Sequence, residues 1–493
     1  MSTITISRVA AASMLAVGLS LSACAVPDLG PKPQMRAPAT LDSSRSLSAQ
    51  SFRDGAPNAS ADAAWPQQQW WTAYGDPQLD ALVAEALANS PDVAEAQARI
   101  LQARGAALVA GASTLPTVNG QGSAGAAKQS YNNGIPADFV PKGWKSTGDL
   151  ALSGDFDLDL WGKYRKMLAA ATSEQKAAEA DAHQAELMLS SNVVSSYFDL
   201  ARLVARGEAL KEAVNARQSM VTLSDQRNQQ GLDSELPLRQ SESLAASARA
   251  ALSANSEQIL LRRHALAALL GAGPDRGLAI APTAIASLPV TPVPADAGIG
   301  LVGRRPDIVA ARLRAEGAGK RIDAAKAAFL PDISISGLFG LQSLGISNLF
   351  KSGSTYGNAG GAISLPIFQG GRLKGEYTKV RGAYDLAVAD YNAAVIGALQ
   401  DVADTLASRN AAAEQEQASA DARDKSARAY DIAMKRYKGG LGNYLDALSA
   451  ETTALDARQA AVDAHFRTLA SEVALKRALG GGYEDNSSKK APE

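Results

Sequence analysis

The sequence is poor in aromatic residues and in the residue types that build most active sites. Aromatic side chains make up 5% of the 493 residues, and there are only three histidines and one cysteine. His183, His264 and His465 stand alone on helical segments, and no phosphate-binding loop or nucleophile motif accompanies them. We therefore expect no enzyme activity, no cofactor and no bound metal.

An excess of charge of either sign is also lacking. Lys and Arg total 49, Asp and Glu total 50, and no block of basic residues occurs. A nucleic-acid-binding protein would carry a basic surface, so no nucleic-acid partner is expected. Because aromatic residues are too few to fill a large globular core, alanine-rich helices that pack through small side chains become the expected framework.

The apolar run near the N-terminus is too short to cross a bilayer as a permanent helix. It ends in Leu21-Ser22-Ala23, directly before Cys24, the single cysteine. This pattern resembles the bacterial lipobox, after which the cysteine becomes the acylated first residue of the mature protein. We predict a signal peptide over residues 1–23, lipidation of Cys24 and an acylated arm over residues 24–75. An ordinary secretory signal with an incidental cysteine is the alternative.

One stretch of the chain occurs twice. Residues 91–122 align without gaps on residues 306–337, a shift of 215, with ten identical positions. In both copies a Leu-Pro pair marks the change from a helical to an alternating pattern. The match continues at a shift of 209, which pairs Gly231-Leu232 with Gly440-Leu441. We predict a first repeat over 76–290, a second repeat over 291–480, and a polar tail over 481–493.

Alternation of apolar and polar residues predicts two β-strands in each repeat. In the clearest strand one face carries Leu150, Leu152, Phe156, Leu158 and Leu160. The other face of the same strand carries Asp155, Asp157 and Asp159. Each predicted strand has about 9–11 residues, the length that a tilted transmembrane strand needs. A half-buried soluble sheet would show the same alternation, and the lipobox favours the membrane.

Four strands are too few to close a barrel, since the smallest transmembrane barrels have about eight. Open strand edges in lipid would leave backbone groups without hydrogen bonds, at a large cost in free energy. If these strands span a membrane, several chains must therefore contribute to one barrel.

Long helices follow each predicted hairpin. The tracts 165–230 and 374–438 contain no proline, and apolar residues in the helix after each tract recur at heptad spacing. Such seams predict that the helices of each repeat pair as antiparallel coiled coils. The turns between them, residues 230–234 and 439–443, would be the distal tips of two helical hairpins.

Several short motifs stand in the order and spacing of a known family. They are Trp70-Trp71 with Asp76-Pro77 and Leu79, Arg304-Arg305-Pro306-Asp307-Ile308, and Arg436-Tyr437 followed by Gly440 and Tyr444-Leu445-Asp446. Over residues 65–480 the chain resembles the outer-membrane efflux protein family, the TolC/OprM-like exit ducts of tripartite pumps, and in particular its NodT-type lipoproteins.

This resemblance implies the fold class and the partners. The expected fold is an α+β membrane protein, an internally duplicated protomer with four transmembrane β-strands and long coiled-coil helices. Three protomers would form a 12-stranded β-barrel in the outer membrane and a periplasmic α-barrel. The expected partners are a periplasmic adaptor protein and an inner-membrane transporter of the RND type, besides the lipid that holds Cys24.

The resemblance also implies roles for individual residues. Gly231, Leu232, Gly440 and Leu441 match the tip positions where an adaptor docks, although glycines that merely permit a turn would look the same. Asp446 matches an acidic position of the periplasmic gate, where three copies would repel one another and favour cations, and a solvated helix face is the alternative. Tyr437 matches a linking tyrosine of the same gate.

Other positions depart from the family gate or add to it. Ser449 stands at the second acidic position of the gate, and Gly442 stands at an arginine position. The closed state would therefore rest on other contacts. Asp155, Asp157 and Asp159 are expected to line the barrel lumen and to add to cation preference.

The expected function is thus the outer-membrane channel of a tripartite efflux system for drugs, other small toxic compounds or metal ions. Two alternatives remain at this point. One is the exit channel of type I protein secretion, and the other is a non-porous lipoprotein that uses its coiled coils as a periplasmic spacer.

Overall fold

The structure is a computed structural model that describes residues 26–41, 43–47, 59–60, 65–282, 293–294 and 297–485. The predicted signal peptide, Cys24 and the last residues of the predicted tail lie outside the described residues. None of the described helices combines the length and the apolar character needed to cross a membrane.

The described elements comprise ten helices, six strands and four 3₁₀ turns. The helices are α1 (Ser44–Leu47), α2 (Pro77–Asn89), α3 (Pro91–Ala112), α4 (Lys163–Gln229), α5 (Glu235–Leu269), α6 (Asp275–Leu278), α7 (Ala297–Arg304), α8 (Pro306–Ala327), α9 (Arg372–Lys438) and α10 (Tyr444–Ala478). The strands are β1 (Ala59–Ser60), β2 (Thr117–Ala127), β3 (Lys145–Leu158), β4 (Val293–Pro294), β5 (Asp332–Leu344) and β6 (Thr355–Ser364). The 3₁₀ turns are Pro38–Thr40, Trp70–Tyr74, Ala137–Phe139 and Ile346–Asn348.

The bounds of the helices repeat at the shifts that the sequence predicts. Helices α3 and α8 have 22 residues each, and their first residues are 215 positions apart. Helices α4 and α9 have 67 residues each, α5 and α10 have 35 each, and both pairs are displaced by 209. In these three pairs the two copies therefore share the order and the length of their helices.

The chain divides into two compact units, and each unit takes segments from both copies. The first unit contains Ile100–Ala177 and Ala311–Asp390, together with the arm up to Gln34. The second unit contains Met35–Arg99, Ala178–Ala310 and the chain from Tyr391 onward. The long helices α4 and α9 run through both units, so that the structural units differ from the sequence repeats.

The first unit holds one antiparallel sheet of four strands in the order β2-β3-β5-β6. Strands β3 and β5, the inner strands of the two hairpins, pair with each other, for example at Leu152 and Phe339. They have 14 and 13 residues, which is longer than the sequence predicted.

The predicted alternation also continues past the observed strand ends. Leu160 lies in a tight turn after β3, where its amide donates to the Leu158 carbonyl (2.7 Å). Leu365 and Ile367 follow β6, since Pro366 between them has no amide hydrogen to donate to a ladder.

The second unit has an apolar core that gathers α2, α4, α5 and α10. Leu79, Val193, Leu266 and Leu469 are among its residues, all at most 2% exposed. Asp76 caps α2 by accepting from the amides of Gln78 (2.9 Å) and Leu79 (3.3 Å). The sequence motif that contains Asp76 thus begins a core helix.

The second family motif also has a structural role. Arg305 forms an ion pair with Asp307 (2.6 Å), two residues along the chain, and another with Asp401 (3.1 Å) of α9. Pro306 is the first residue of α8, a position at which its missing amide hydrogen costs no hydrogen bond.

The helices of each hairpin run antiparallel. In the first copy Asn255 donates to the Leu203 carbonyl (3.0 Å), and Arg217 donates to the Leu244 carbonyl (3.2 Å). The residue farther along α4 thus contacts the residue nearer the start of α5, as antiparallel helices require.

Candidate functional site: hairpin tips and sheet faces

Both helical hairpins turn through the same backbone motif. Gly231 and Gly440 have φ values of +69° and +70°. After each glycine a leucine amide donates to the carbonyl five residues earlier, Leu232 to Arg227 (2.8 Å) and Leu441 to Arg436 (2.8 Å). This is a Schellman cap, which requires a left-handed residue and therefore favours glycine. The glycines are explained by the turn itself.

The leucines that follow these glycines are not needed by the turn. Leu232 is 59% exposed and Leu441 is 76% exposed. A Schellman cap often packs this position against its own helix, but here both side chains face solvent. Each tip therefore presents one exposed apolar side chain.

A hydrogen-bonded link joins the two tips of one chain. The Tyr437 hydroxyl at the end of α9 donates to Asp233 (2.8 Å) in the turn after α4. Arg227 donates through Nε to the same carboxylate (2.7 Å), and its guanidinium lies over the Tyr437 ring, 4.8 Å from the centroid. Three residues from the two copies thus form one compact cluster.

The electrostatics of this cluster favour the link. The hydrogen bond from Arg227 lowers the pKa of Asp233, so that its carboxylate stays ionised and accepts the hydrogen bond from the Tyr437 hydroxyl. Burial, followed by the hydrogen bond to Asp233, raises the pKa of Tyr437, so that its hydroxyl stays protonated and donates. Hydrogen bonds with one charged partner are stronger than neutral ones.

Apolar packing supports the link from behind. Met220, Tyr437, Tyr444 and Ala447 form a buried cluster in which the two tyrosine rings meet edge-on, with centroids 6.1 Å apart. Tyr437 is only 1% exposed. The structure therefore places Tyr437 between the two tips, whereas sequence reasoning did not single out its partners Asp233 and Arg227. The one indication in the sequence was that two equivalent positions of the copies hold different residues, Asp233 and Gly442.

Asp446 lies on the exposed side of α10. Its amide donates to the Asn443 side chain (2.8 Å), which caps the helix. Ser449, one turn later, is also exposed. At Gly442 an added Cβ atom would come within 3.3 Å of the Arg436 side chain. Asp446 is thus apart from the linked cluster and open to solvent.

The register of the sheet separates apolar from polar residues across all four strands. On one face, Leu152 pairs with Gly120 and Phe339, and Leu158 pairs with Ile333, which pairs in turn with Ile363. This apolar face is uncovered, since Leu152 is 57%, Phe339 66% and Ile363 74% exposed. Transmembrane strands present such a face to lipid, whereas a half-buried soluble sheet covers it.

The polar face carries two of the three predicted lumen aspartates. Asp155 and Asp157 belong to β3 and are exposed. Asp157 accepts a hydrogen bond from the Tyr164 hydroxyl (3.0 Å) at the start of α4.

Asp159 lies beyond the end of β3 and serves the following helix. Its carboxylate accepts from the amides of Tyr164 (3.2 Å) and Arg165 (2.9 Å). Burial of the carboxylate raises the pKa of Asp159. The two amide hydrogen bonds and the Arg165 side chain lower it by more, so that the pKa lies below its ordinary value. This aspartate caps α4 instead of standing within a strand.

Exposed aromatic residues flank the sheet at both ends. In the loops that connect the strands of each hairpin, Phe139 is 82%, Trp144 72% and Phe350 79% exposed. At the end where the strands join the helices, Trp161 is 49% and Phe368 82% exposed. Transmembrane barrels carry aromatic girdles at their two membrane–water interfaces.

The described part of the N-terminal arm is fastened to α9. Arg381, 5% exposed, donates to the carbonyls of Gly30 (3.1 Å) and Pro31 (2.5 Å). It also pairs with Asp385 (2.8 Å), one turn along the helix. The Tyr384 hydroxyl donates to the Pro33 carbonyl (3.3 Å). The arm therefore has a defined position on the helix, which the sequence did not indicate.

Comparison with known proteins identifies the family. The family model described as "Outer membrane efflux protein" matches residues 82–272 and 301–481, one segment in each copy. The chain therefore belongs to the outer membrane efflux protein family, as the resemblance predicted, and it is an outer membrane protein.

Individual relatives agree with this assignment. The fusaric acid resistance protein FusA of Burkholderia cepacia is 35% identical over 379 residues, covering 74% of this chain and 68% of FusA. The multidrug resistance outer membrane protein MdtP of Escherichia coli K12 is 32% identical over 350 residues, covering 70% of this chain and 72% of MdtP. Both are described as resistance proteins and neither as an enzyme, which is consistent with the expected lack of catalysis.

Solved structures show the same fold. The outer membrane protein VceC of Vibrio cholerae superimposes with a TM-score of 0.81 at 39% identity, covering 85% of this chain and 100% of VceC. The CmeC outer membrane channel of Campylobacter jejuni superimposes with a TM-score of 0.82 at 26% identity, covering 94% of this chain and 96% of CmeC. The fold is thus that of outer-membrane efflux channels with long helices.

Proposed function

We propose that this protein is the exit duct of a tripartite efflux pump, a passive outer-membrane channel that is gated at its helical tips. The observation that carries the proposal is the sheet whose apolar face is exposed and whose opposite face is polar and acidic. The names of relatives, multidrug resistance and fusaric acid resistance, favour small toxic compounds as cargo. A passive duct does not itself capture energy, so an inner-membrane transporter of the RND type would supply it.

The sheet supports assembly from several copies. Within the described residues, β2 and β6 each pair on one side only, and these open edges would face lipid in a single chain. Joining β2 of one copy to β6 of the next satisfies both edges. Three copies then give a closed barrel of 12 strands, as in the homotrimer that the family resemblance implies.

A comparison of equivalent helices in the first unit also supports assembly from several chains. Helix α8 packs on α4, where Ser173 donates to the Leu313 carbonyl (2.7 Å) and Arg321 pairs with Glu174 (3.1 Å). The counterpart helix α3 leaves Leu101 70% and Leu108 69% exposed. We infer that α3 packs on α9 of a neighbouring copy, repeating between chains the contact that α8 and α4 make within one.

The fastened arm supports a lipid anchor at Cys24. Gly30 comes six positions after Cys24, a span of about 20 Å when the chain is extended. Arg381, which holds Gly30, lies nine residues into α9, a rise of about 14 Å from the end that follows the strands. Cys24 can therefore reach the level at which the sheet would leave the membrane, where several acyl chains would anchor it.

The tips support docking and gating. Leu232 and Leu441 offer exposed apolar side chains to a periplasmic adaptor, and Gly231 and Gly440 leave the backbone beside them uncovered. The link between Tyr437 and Asp233 would hold the tips together in the closed state. Asp446, exposed on α10, would face the entrance and favour cations, and the aspartates of the polar sheet face would do so in the lumen.

The test uses the full acylated chain purified in detergent and placed in planar lipid bilayers. We expect a stable trimer by light scattering and ion conductance with a preference for cations. A monomer without conductance would reject the duct and favour the non-porous spacer. Export of a co-expressed protein substrate, with no change in drug resistance on deletion, would favour type I secretion.

A further inference from the structure

A second charged pair joins the hairpins farther along the helices. Arg217 of α4 and Glu451 of α10 lie 3.6 Å apart between Nε and Oε1. The Glu451 side chain is 2% exposed and that of Arg217 is 18% exposed. Arg217 also donates through Nη1 to the Leu244 carbonyl (3.2 Å) of α5. One guanidinium therefore contacts two neighbouring helices, and one of them carries a nearly fully buried carboxylate.

This pair lies on the same face of α10 as the residues behind the tip link. Tyr444, Ala447 and Glu451 are spaced three and four residues apart, and all three are buried. The Tyr444 ring rests edge-on against Tyr437, the tyrosine that donates to Asp233. A shift of α10 at Glu451 would therefore displace the side chains against which the link is packed.

The titratable groups around Glu451 come from three helices. Arg217 of α4 acts on it as the opposite charge, while Tyr430 of α9 and Tyr444 of α10 interact with it through their hydroxyl groups. Burial raises the pKa of Tyr430 to about 12 and also raises the pKa of Tyr444, so that both stay neutral at physiological pH. Glu451 is thus the member of this cluster that changes charge first on acidification.

The two carboxylates of the region are perturbed in opposite directions. Burial raises the pKa of Glu451, and the attraction of Arg217 only partly offsets it. The hydrogen bond from Arg227 lowers the pKa of Asp233. As the pH falls, Glu451 therefore gains its proton while Asp233 is still ionised and still accepts from Tyr437. The Arg217–Glu451 pair and the link between Tyr437 and Asp233 therefore respond to different ranges of pH.

We propose that Arg217 and Glu451 position the start of α10 behind the tip link and couple closing of the tips to the uptake of a proton by Glu451. The proposal rests on the gate described above. A carboxylate that is buried when the tips are closed and hydrated when they open binds a proton more tightly in the closed state. Acidification therefore favours the closed state, and a rise in pH favours opening.

The size of the effect follows from the linkage of one proton. Between the closed-state and open-state pKa values, the ratio of open to closed tips changes by up to about tenfold per pH unit for each protomer. Outside that range the ratio does not depend on this group.

The experiment measures the open fraction of the full trimer in planar bilayers between about pH 5 and pH 8, the range into which burial shifts carboxylates. In the unmodified protein we expect the open fraction to fall as the pH is lowered. Glu451→Gln should remain mostly closed and lose this dependence, since glutamine has the shape of the protonated acid. Glu451→Asp should restore a pH dependence.

The duplication provides a matched control. Glu242 of α5 is the equivalent of Glu451 at the shift of 209, but its side chain is 44% exposed and pairs with Arg239 (3.0 Å). Glu242→Gln should leave the pH profile unchanged.

A second variant leaves Glu451 in place, in case Glu451→Gln does not assemble. Arg217→Gln removes the positive charge that lowers the proton affinity of Glu451, so the midpoint of the pH profile should move to higher pH. An unchanged midpoint would overturn the proposal, as would a normal pH profile in Glu451→Gln.

Tyr437→Phe separates this inference from the gate itself. If Tyr437→Phe raises the current while Glu451→Gln keeps the normal profile, the gate stands and the proton coupling is wrong. If neither Tyr437→Phe nor Glu451→Gln changes the current at any pH, the proposed gate fails, and the coupling fails with it.

Discussion

The two hairpin tips share one backbone but differ in the side chains that the backbone presents. Both turns use a Schellman cap around a left-handed glycine, with the same leucine after it. At the shift of 209, however, Asp233 of the first tip corresponds to Gly442, and Tyr437 of the second corresponds to Asn228. The duplication therefore preserved the turn, while the link between the tips depends on Asp233 and Tyr437, each of which occurs in only one copy.

This asymmetry gives each chain a single tip link. Tyr437 of the second copy donates to Asp233 of the first, and the reciprocal positions hold Asn228 and a glycine that has no side chain to accept a hydrogen bond. A gate that depends on one link per chain should be sensitive to single substitutions.

The largest effect is expected from breaking the link. Asp233→Ala removes the acceptor of Tyr437 and leaves Arg227 without its ion pair, a loss of about 1.5–3 kcal/mol for a hydrogen bond to a charged group. The closed state should weaken by about tenfold or more, seen as a higher current in planar bilayers. Tyr437→Phe should act in the same direction with a smaller effect.

The matched control for the link is the equivalent arginine of the other tip. Arg227→Ala should raise the current, because Arg227 binds Asp233 directly. Arg436→Ala should have little effect, since Arg436 is exposed and its guanidinium donates, among the described residues, to the Leu441 carbonyl alone (3.3 Å). Equal currents from these two variants would contradict the asymmetry of the tips.

The shared backbone predicts equal effects at the two tip glycines. Gly231→Ala and Gly440→Ala each force a side chain into the left-handed region and should cost about 1–2 kcal/mol. Both sites have open space for a Cβ atom, so backbone strain is the whole effect. Thermal unfolding of the trimer measures it.

Gly397→Ala is the control for backbone strain, because Gly397 lies within α9, where it also has open space and no positive φ. It should stabilise the protein by about 0.5–1 kcal/mol. A large difference between the two tip variants would mean that the turns are not equivalent.

The long helices extend the comparison to the N-terminal arm. Arg381 of α9 holds Gly30 and Pro31, whereas its equivalent in α4 is Thr172. Arg381→Thr should therefore release the arm. A spin label at Leu29→Cys would report this as increased mobility, and it would be the only free thiol if Cys24 is acylated. Arg372→Thr, a change at the first residue of the same helix, should leave the label unaffected.

The smallest effect is expected at Asp446, whose equivalent in the first copy is Pro237. Asp446→Asn removes one exposed charge per chain from the entrance, so cation selectivity should decrease slightly. The measurement is the reversal potential in a salt gradient. An unchanged reversal potential would remove Asp446 from the list of selectivity residues.

Much of the architecture was predictable, because hydrophobic periodicity and the placement of glycine and proline are local properties of the sequence. The helix lengths, the strands and the tips follow from heptad spacing, alternation and the paired glycines. The strand ends were less accurate, since Leu160 and Leu365 continue the alternation after the ladder has stopped. Only the backbone hydrogen bonds decide where a strand ends.

The candidate site was less accessible from the sequence. Tyr437 was predicted as a linking residue, but Asp233, Arg227, Arg217 and Glu451 were not. Asp233 and Tyr437 are 204 residues apart, and Arg217 and Glu451 also come from different copies. Arg227 is near Asp233 in the chain, but its role became apparent only once Asp233 was seen to accept from Tyr437. Asp159 was predicted as a lumen residue, and the structure uses it as a helix cap. An acidic residue in an alternating pattern cannot by itself distinguish these roles.

The amino-acid sequence alone determined that the chain is a duplicated helix-and-strand unit with two turning points and one polar face per strand, because hydrophobic periodicity and glycine placement act over a few residues. Which side chains of the two copies meet depends on how the whole chain folds. A hydrogen bond such as that of Tyr437 to Asp233 forms only when folding brings distant segments to within about 3 Å, and no local pattern specifies that distance.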